Sequence, residues 1–379
     1  MQTRQHFYDL PIPQFRLLKG DCLETLKGLD DNSIDSVVCD PPYEINFMGK
    51  GWDNSGIAFS TQVWSECFRV LKPGGHLIAF GGTRTIHRIT CAIEDSGFNI
   101  RDQICWMQFQ GFPKSLDISK QIDKMAGVER EVVGKSNNGI AGGTGQHNGQ
   151  NDSYGYSGEY SITKPATPEA QKWDGWGTAL KPSYEPAILA RKPISEPNIA
   201  QNVLKWGTGG INVDGCRFAY GDDCWVGPDD QNDNHIGHTS GRWPANIYQC
   251  PKPPRSQKEA GLEHLESEIS PAIEHHGPDT LTLNYAGSGA GRTASEIKNI
   301  HPTVKPIKLM RWLVRLVTPP GGTVLDPFLG SGTTAAASIL EGFDVVGCEL
   351  TDVYWPIIEG RTTHALEQWK QENSQVSLF

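Results

Sequence analysis

The chain has 379 residues, of which 37% are hydrophobic, and it contains 42 glycines and 25 prolines. This length suits one large domain with a sizeable insertion, or two domains, and the composition predicts long loops around a core. No apolar run approaches the roughly 18 residues of a membrane span. The N-terminal sequence MQTRQHFYDLPIPQF lacks the apolar segment of a signal peptide. We therefore expect no membrane partner.

The formal net charge of −10 argues against a general nucleic-acid binder, because such proteins usually carry a basic surface. The acidic residues are concentrated in Asp222–Asp233 and Glu259–Glu274, whereas His301–Val317 carries basic residues and no acid. An acidic total therefore leaves room for a local basic face in that segment. The nine cysteines include no CxxC pair, and this usage fits ordinary thiols in a reducing cytosol.

The N-terminal part of the chain alternates between predicted strands and helices. Strands are predicted at Phe15–Leu18, Ser36–Cys39, His76–Phe80 and Phe98–Phe109. Helices are predicted at Cys22–Leu29, Val63–Leu71 and Thr85–Ser96, with a turn at Lys72–Gly75 ending the second helix. This alternation predicts an α/β fold with a doubly wound, mostly parallel sheet.

After this part the pattern is interrupted and then resumes. Residues 134–160 are rich in Gly, Asn, Ser and Gln and are predicted to form a mobile loop. Tyr184–Arg191 returns to a strand pattern, and residues 193–300 show little periodicity. The last part is predicted to contain helices at Pro306–Val317, Thr333–Leu340 and after Asp352, and strands at Thr323–Phe328 and Phe343–Glu349. We therefore predict one α/β domain formed by residues 15–192 and 301–379, interrupted by an irregular insertion at residues 193–300.

A glycine turn near the C-terminus predicts a nucleotide-like cofactor. The sequence TVLDPFLGSGTT, which begins at Thr323, reads as a strand, a glycine turn and the start of a helix. Gly330 and Gly332 allow the backbone to approach a ligand, and the helix presents its N-terminal amides to it. Glu349 ends the next predicted strand, where a carboxylate can hold ribose hydroxyls. The turn alone does not distinguish a dinucleotide from S-adenosylmethionine.

The tetrapeptide Asp40-Pro41-Pro42-Tyr43 directly follows a predicted buried strand. Ligands of open α/β sheets bind at the carboxyl ends of the strands. The two prolines stiffen the turn and remove two backbone donors, so a carboxylate and a rigid carbonyl can accept both hydrogens of an amino group. Tyr43 offers a flat face on which an extruded base can stack. The tetrapeptide therefore indicates chemistry on an amino group.

Together, Asp40–Tyr43 and the sequence from Asp326 to Gly332 resemble the paired signatures of the amino-group (N6-adenine or N4-cytosine) DNA methyltransferases. The order of the two motifs is similar to that of the β-class, including its bacterial and prophage-borne site-specific members. The likeness extends to Gly20-Asp21, Leu71–Gly75 and His301–Pro306. It implies a Rossmann-like S-adenosylmethionine-dependent methyltransferase fold with a permuted motif order and an inserted target-recognition region.

The resemblance also implies roles for individual residues. The catalytic residues would be Asp40, Pro41, Pro42 and Tyr43. The residues that bind S-adenosylmethionine would be Asp21, Cys22, Asp40, Thr303, Lys305, Asp326, Pro327, Phe328, Gly330, Ser331, Gly332, Thr333, Glu349 and Leu350. Among these, Asp21 would meet the adenine edge and Glu349 the ribose, while Thr303 and Lys305 would meet the carboxylate end. Asp21 also suits a helix N-cap, and Lys305 a solvated charge before a helix.

The reaction implied is direct transfer of a methyl group from S-adenosylmethionine to an exocyclic amino group of a flipped base in double-stranded DNA. The family's cytosine-N4 members more often begin the tetrapeptide with serine, so Asp40 favours adenine N6, with cytosine N4 as the alternative. The resemblance further implies a cytoplasmic protein, bacterial or phage-encoded, acting in restriction–modification or alone. Because β-class members often pair, it also allows a homodimer.

Within residues 193–300, the family likeness predicts target recognition. Basic residues that could meet phosphates or guanine edges are Arg191, Lys192, Lys205, Arg217, Arg242, Lys252 and Arg255. We expect most of the tryptophans Trp173, Trp176, Trp206, Trp225 and Trp243 to form the core of the insertion rather than a stacking surface. The spacings of Cys216, Cys224, His235, His238 and Cys250 match no common zinc finger, so we expect no metal.

Three other classes of function remain open at this point. A nicotinamide oxidoreductase would use the glycine turn and Glu349 but leaves Asp40–Tyr43 without a role. A methyltransferase acting on RNA or on protein glutamine is closer, although such families usually place the cofactor motif first. A non-catalytic DNA-binding or sensor module would retain only cofactor binding, and the intact Asp40 and Tyr43 argue against it.

Overall fold

The computed structural model describes residues 11–45, 51–109, 115–136, 160–219, 241–269 and 296–374. The chain divides into two compact units. Where described, the first consists of residues 1–108, 184–266 and 298–379, and the second of residues 109–183 and 267–297. The boundaries of these units differ from the domain boundaries that we predicted. Residues 193–266 belong to the first unit, and residues 109–183 belong to the second. The predicted mobile loop lies largely outside the described residues.

Strands and helices alternate along the chain. The strands in chain order are β1 (Phe15–Lys19), β2 (Ile34–Cys39), β3 (Leu71–Phe80), β4 (Asn99–Met107), β5 (Val132–Ser136), β6 (Tyr160–Thr163), β7 (Tyr184–Arg191), β8 (Ile247–Gln249), β9 (Glu268–Ile269), β10 (Glu296–Ile297), β11 (Thr323–Asp326) and β12 (Asp344–Glu349). The helices are α1 (Cys22–Thr25), α2 (Thr61–Val70), α3 (Ile86–Asp95), α4 (Ile118–Met125), α5 (Pro168–Lys172), α6 (Ile199–Trp206), α7 (Arg255–Glu259), α8 (Ile307–Val317), α9 (Thr333–Leu340) and α10 (Trp355–Ser374). Short 3-10 turns lie at Leu26–Gly28, Gly51–Asn54, Ile57–Phe59, Asp214–Cys216 and Asp352–Tyr354.

The first unit contains an eight-stranded sheet in the order β1-β12-β11-β2-β3-β7-β4-β8. Neighbouring strands run parallel across the first five positions of this order, β1-β12-β11-β2-β3. Strand β7 is antiparallel to both β3 and β4, and β8 is parallel to β4. The predicted doubly wound, mostly parallel sheet is therefore confirmed, with one antiparallel strand inside it.

Alternate residues of the central strands face two separate cores. Val37 and Leu325 point to the side covered by α2 and α3, whereas Val38 and Val324 point to the side covered by α8, α9 and α10. Helix α8 buries seven of its residues because its apolar positions recur at helical spacing, a pattern that places one face against the sheet. Both faces of the sheet are thus covered, as parallel strands require.

The predicted helix ends close to the expected turn, at Val70, but Lys72–Gly75 is a bulge within strand β3: Ile34 pairs with Leu71 and Ser36 with His76. The backbone there is already paired: the N–H of Gly74 donates to the Lys192 carbonyl at 3.1 Å, and the N–H of Lys192 donates to the Gly75 carbonyl at 2.9 Å. Gly74 adopts a φ of 81° and the pairing of β2 with β3 shifts register nearby. The glycine therefore bends the strand rather than ending it.

Helix α6 lies in the region that we predicted to be irregular. Its ends carry ordinary signals, since the Asn198 side chain accepts from the N–H of Gln201 and Gly207 ends the helix in the left-handed conformation. The buried side chain of the helix is a polar one, Asn202, which donates to the carbonyls of Pro73 and Thr208 at 2.8 Å each. The apolar residues Ile199 and Val203, although at helical spacing, stay partly exposed.

The local basic face that we expected along His301–Val317 is neutralised by partners within the unit. Arg311 and Arg315 of α8 both donate to the buried carboxylate of Glu341, at 2.6 Å each. Lys305 is buried, with 6% of its side chain exposed. The charge pattern of the sequence therefore reflects internal ion pairs more than a surface for phosphates.

Several of the basic residues predicted to meet DNA are likewise held by protein groups. The Lys192 ammonium donates to the Asn32 side chain and to the carbonyls of Phe68 and Leu71, so protein groups hold it in place. Three further residues of this set form ion pairs: Lys205 with Glu196, Arg217 with Asp214 and Arg255 with Glu259. The tryptophan prediction is wrong for three residues that are substantially exposed: Trp173, Trp176 and Trp243. Trp225 lies outside the described residues.

The second unit is held together by a buried carboxylate. Asp123 on α4 accepts from the guanidinium of Arg130 and from the backbone N–H groups of Ala166 and Thr167, each at 3.0 Å. Strands β5 and β6 pair as an antiparallel hairpin, and β9 pairs with β10. Across the described part of the chain, no helix is both long and apolar enough to cross a membrane.

Candidate active site

The two motifs found in the sequence meet at one edge of the sheet. Strands β2 and β11 are parallel neighbours, with Val37 opposite Leu325, so Asp40 and Asp326 emerge at the same end. From β2 the chain continues to β3 on one side, whereas from β11 it continues to β12 on the other. This reversal creates the crevice in which open α/β sheets bind their ligands.

Asp40 is a mostly buried carboxylate with one oxygen occupied and the other available. Its Oδ2 accepts from the Lys305 ammonium at 2.5 Å, and its side chain is 19% exposed. Its Oδ1 is buried and has no hydrogen-bond partner among the described residues. Burial raises the pKa of Asp40 above its ordinary value, and the charge of Lys305 only partly offsets this effect. A buried acceptor without a partner is costly, which suits an oxygen that receives an N–H from a ligand.

Lys305 connects Asp40 to two other groups. Its ammonium donates to the Tyr43 hydroxyl at 3.0 Å and lies 3.4 Å from the Glu185 carboxylate. It also lies about 5.0 Å from the ring centre of Phe80. Burial opposes the charged form, but the two carboxylates outweigh burial and raise the pKa of Lys305. Lys305 is therefore a buried ammonium shared by two carboxylates.

Tyr43 is anchored at both its hydroxyl and its backbone. The hydroxyl donates to Glu185 Oε2 at 2.9 Å, and the carbonyl accepts from the Thr85 hydroxyl at 2.7 Å. Burial raises the pKa of Tyr43 well above its ordinary value, so the side chain stays a neutral phenol. Within the same tetrapeptide Pro41 is buried and Pro42 partly buried. The tetrapeptide is thus a rigid platform.

Glu185 was not identified from the sequence as a site residue. It lies in β7, the antiparallel strand next to β3, and its side chain is 21% exposed. Burial acts to raise the pKa of Glu185, but the charges of Lys305 and Lys252 outweigh burial and lower it. The available signal in the sequence is a carboxylate inside the mostly apolar strand segment YEPAILAR.

The glycine turn after β11 packs closely against neighbouring residues of the protein. Gly330 and Gly332 adopt φ values of 55° and 77° in the left-handed region. A Cβ on Gly330 would lie 2.9 Å from His301 Nε2, and one on Gly332 would lie 3.3 Å from the Ile358 backbone. Only glycine fits both positions without displacing a neighbour.

Glu349 closes this turn from the end of β12. Its two carboxylate oxygens accept from the N–H of Gly330 at 2.7 Å and from the N–H of Thr351 at 2.8 Å. Burial raises the pKa of Glu349. Because each carboxylate oxygen can accept more than one hydrogen bond, both retain capacity for ribose hydroxyls.

Asp326 is the most deeply buried acid of the site, with 1% of its surface exposed. It accepts from the N–H of Phe328 at 2.9 Å, yet burial raises its pKa to about 7. A cation beside it would favour the ionised form. S-adenosylmethionine carries a positively charged sulfur and an ammonium group, so the residues around Asp326, Gly330 and Glu349 fit this cofactor.

Arg361, another residue missed in the sequence, supports the turn from helix α10. Its Nη1 donates to the Ser331 carbonyl at 2.7 Å and to the hydroxyls of Ser331 and Thr333 at 2.9 Å each. Burial lowers the pKa of Arg361 to about 10, which still leaves it charged. The side chains of Ser331 and Thr333 therefore serve to hold the turn in its shape.

The remaining predicted residues differ in their positions and in their contacts. Asp21 follows β1 beside Glu349, and its side chain caps α1 by accepting from the N–H of Leu23 at 2.8 Å. Cys22 and Pro327 are buried, while Leu350 is 63% exposed. Thr303 donates its N–H to His301 Nδ1 at 3.4 Å. We expected Lys305 beside the cofactor's carboxylate, but the structure places its ammonium on Asp40, because two buried carboxylates attract it.

The cysteine and histidine residues considered for zinc do not converge in the described part of the chain. Cys216 and Cys250 are buried in the apolar core, and the Cys216 thiol donates to the Trp312 carbonyl. Cys224, His235 and His238 lie outside the described residues. Within those limits no group of three or more potential ligands is arranged to hold a metal ion.

Comparison with known proteins gives matches that span most of the chain. The model of the N6/N4 methyltransferase family, described as DNA methylase, matches residues 34–360. The type II methyltransferase M.HindIII of Haemophilus influenzae is 24% identical over 364 residues, which cover 85% of this chain and 86% of that enzyme. The type II methyltransferase M.HpaI of Haemophilus parainfluenzae is 34% identical over 117 residues, or 28% of this chain and 36% of the enzyme.

A solved structure also aligns with the chain over nearly its whole length. The alignment with the cytosine-N4-specific PvuII DNA methyltransferase covers 95% of this chain and 95% of that enzyme, with a TM-score of 0.47 and 13% sequence identity. A likeness of this degree carries no argument about the target base.

Proposed function

Because this chain belongs to the N6/N4 family of DNA methylases, and is thus an S-adenosylmethionine-dependent DNA methyltransferase, we propose that it methylates adenine N6 in duplex DNA. The observation that carries the proposal is Asp40 Oδ1, a buried acceptor without a partner among the residues described. An exocyclic amino group supplies the donor that this oxygen lacks. Aspartate at this position, where the family's cytosine-N4 members more often have serine, favours adenine over cytosine.

The tetrapeptide positions the amine through two acceptors. Asp40 accepts one amino hydrogen, and the carbonyl of Pro41 accepts the other. Because Pro41 and Pro42 have no backbone N–H, no donor of theirs competes with the amine for these acceptors. With both hydrogens held, the nitrogen lone pair is directed away from the acceptors. Orientation of this kind contributes a large part of the rate acceleration in two-substrate reactions.

Tyr43 holds the flipped base, and Asp40 also takes the proton that the nitrogen loses. The phenol is neutral and anchored to Glu185 and Thr85, so its ring is a fixed stacking face. The raised pKa of Asp40 makes its carboxylate a better proton acceptor than an exposed aspartate. No cysteine nucleophile takes part in this scheme.

The cofactor is held by the edge formed by β1, β11 and β12. When bound, S-adenosylmethionine supplies a methyl group made electrophilic by its positively charged sulfur. Asp326 would face that charge, Glu349 would accept from the ribose hydroxyls, and Asp21 would meet the adenine edge. Gly330 and Gly332 let the turn pack closely against His301 and Ile358, and this packing sets the shape that the turn presents to the cofactor.

The likeness to type II methyltransferases supports modification at a defined DNA sequence. M.HindIII matches across 86% of its length, so residues 193–300, which lie within the matched region of the family, are proposed to include the base-reading residues. Arg242 and Lys252 lie in this segment and are candidates for contacts with DNA. Lys192 is not a candidate, because its ammonium donates to groups of the protein.

The target base is tested by nucleoside analysis of DNA from a host that lacks adenine and cytosine methylation of its own. Expression of the protein there is expected to produce N6-methyladenine in the genomic DNA. Cells carrying the empty vector provide the control. N4-methylcytosine instead would keep the reaction and replace the base, and unmodified DNA despite soluble protein that binds cofactor would overturn the proposal.

A further inference from the structure

Lys305 lies between two carboxylates that come from distant parts of the chain. Its ammonium is 2.5 Å from Asp40 Oδ2 and 3.4 Å from Glu185 Oε2. Tyr43 bridges the same groups, because its hydroxyl accepts from Lys305 and donates to Glu185. A hydrogen bond from an ammonium to a carboxylate is about 2.8 Å long. A movement of the ammonium on the order of 1 Å toward Glu185 would therefore form that hydrogen bond and break the one to Asp40.

The position of the ammonium on Asp40 conflicts with the chemistry that Asp40 performs. During methyl transfer the amino nitrogen uses its lone pair to form the bond to the methyl carbon, while the methyl–sulfur bond breaks and leaves its electron pair on sulfur. The nitrogen becomes positively charged until one proton passes to Asp40. An ammonium bonded to the same carboxylate repels this charge and lowers the proton affinity of Asp40.

Glu185 offers the ammonium a second position at the required distance. It is the other carboxylate in contact with Lys305, and its lowered pKa keeps it ionised. We propose that Glu185 is a positioning residue for methyl transfer, which takes the Lys305 ammonium from Asp40 when the target amine binds. This inference rests on the proposed function, because it assumes that an amine is held by Asp40.

The charged groups around the pair determine how the exchange depends on pH. Asp40 is faced by Lys305, Glu185 and Tyr43, and it also interacts with Asp326 and the Cys39 thiol. Lys252 is a further cation near Glu185, and His301 lies near Lys305 and stays neutral because burial lowers its pKa to about 3. After burial, the negative charge of Glu185 is a further cause of the raised pKa of Asp40.

Replacement of Glu185 by glutamine removes the charge and keeps the shape. The amide oxygen can still accept from the Tyr43 hydroxyl, so the platform is retained. Lys305 then stays on Asp40, and the pKa of Asp40 falls because a negative neighbour is lost. The methyl-transfer rate requires ionised Asp40, and it therefore rises with pH through the pKa of that group. Its acid limb is expected to move to lower pH while the plateau rate falls.

The experiment is single-turnover methyl transfer to duplex DNA across a pH series, with saturating S-adenosylmethionine. Glu185→Gln is expected to lower the plateau rate roughly 10- to 100-fold. Its affinity for S-adenosylmethionine should equal that of the wild type. The matched control is Glu196→Gln, because Glu196 is also paired with a lysine and is similarly exposed, at 23%, but lies outside the site. The control should retain the wild-type rate and acid limb.

A second variant separates charge from shape. Glu185→Asp keeps the negative charge, and it is expected to retain the acid limb of the wild type and a faster plateau than Glu185→Gln. A wild-type rate for Glu185→Gln, or a lowered rate with an unmoved acid limb, would overturn the proposal. Should Glu185→Gln fail to fold, a displaced acid limb in Glu185→Asp would overturn it. Absence of methyl transfer by the wild type would instead refute the proposed function.

Discussion

Asp40 and Lys305, which are 265 residues apart in the chain, form a buried ion pair of 2.5 Å at the centre of the site. The pair joins the catalytic tetrapeptide after β2 to the segment that precedes α8. The two parts of the chain are also joined by the pairing of β12 with β1 and of β11 with β2, although residues 193–300 separate them in sequence. The stability of the site therefore depends on the protonation of this pair.

Lys305→Met is expected to destabilise the protein at neutral pH. The variant leaves Asp40 and Glu185 without their shared cation, and removal of one partner from a buried pair costs about 3–5 kcal/mol. The loss should be measured as the free energy of unfolding in urea at pH 7. It should shrink as the pH falls, because the folded-state pKa of Asp40 rises further in the variant and protonation of the folded state then restores stability. An equal loss at pH 7 and pH 5 would contradict this assignment.

The affinity for S-adenosylmethionine is expected to rise with pH through about 7. Burial raises the pKa of Asp326 to about 7, and a cationic cofactor binds its ionised form more tightly. Below that pH a proton competes with the cofactor, and the affinity should fall by up to about tenfold per pH unit. Calorimetric titration of the wild type and Asp326→Asn checks this. Asp326→Asn should bind more weakly and lose the part of the pH dependence that Asp326 causes, and an unchanged pH profile would contradict the prediction.

Gly330→Ala is expected to abolish cofactor binding, whereas Gly321→Ala is its matched control. Both glycines have positive φ values, of 55° and 71°, so alanine at either position costs about 1–2 kcal/mol of backbone strain. A Cβ at Gly330 would also meet His301, whereas a Cβ at Gly321 would meet nothing within 4 Å. Thermal unfolding should show the shared backbone strain in both variants and a larger loss of stability for Gly330→Ala, because only its Cβ collides with His301. Equal cofactor affinity in both would remove the role assigned to the Gly330 turn.

Arg361→Met is expected to weaken cofactor binding without touching the cofactor. The arginine donates to Ser331 and Thr333, and its loss leaves these buried acceptors unsatisfied at about 1.5–3 kcal/mol for each charged hydrogen bond. If a third of the summed energy of these hydrogen bonds stabilises the turn in its cofactor-binding shape, the dissociation constant of the cofactor should rise at least about tenfold. Arg69→Met, which removes an arginine paired with Glu66 and Asp31 away from the turn, provides the control. Equal affinities in the two variants would contradict the supporting role.

The sequence was sufficient to place both motifs at the ends of strands. Asp40 follows one predicted strand and Asp326 lies in another, and ligands of open α/β sheets bind at the carboxyl ends of strands. That β2 and β11 are neighbours was not predicted. The alternation of strands and helices likewise predicted the doubly wound sheet. These features depend on short-range patterns that one chain segment can carry alone.

What the sequence did not reveal depends on contacts between distant segments. Glu185 enters the site because β7 runs antiparallel between β3 and β4, a pairing that no local pattern in YEPAILAR specifies. The role of Lys305 toward the cofactor stays a prediction, whereas its contacts with Asp40 and Glu185 were not foreseen, because a lone lysine does not disclose which acids it will meet. Arg361 lies on the last helix, and its partners are about 30 residues earlier in the chain. Helix α6 was missed although Asn198 and Gly207 cap it and Ile199 and Val203 recur at helical spacing, because these signals are confined to eight residues of an otherwise irregular segment.

The most direct test of the account is methyl transfer from labelled S-adenosylmethionine to mixed-sequence duplex DNA by purified wild type and Asp40→Ala, with nucleoside mass analysis. Cofactor binding by both proteins should be measured in parallel. The account predicts N6-methyladenine with the wild type, and at least roughly a hundredfold less with Asp40→Ala although it still binds the cofactor. Comparable methylation by Asp40→Ala would contradict the role assigned to Asp40, and no methylated DNA from cofactor-binding wild type would contradict the function itself.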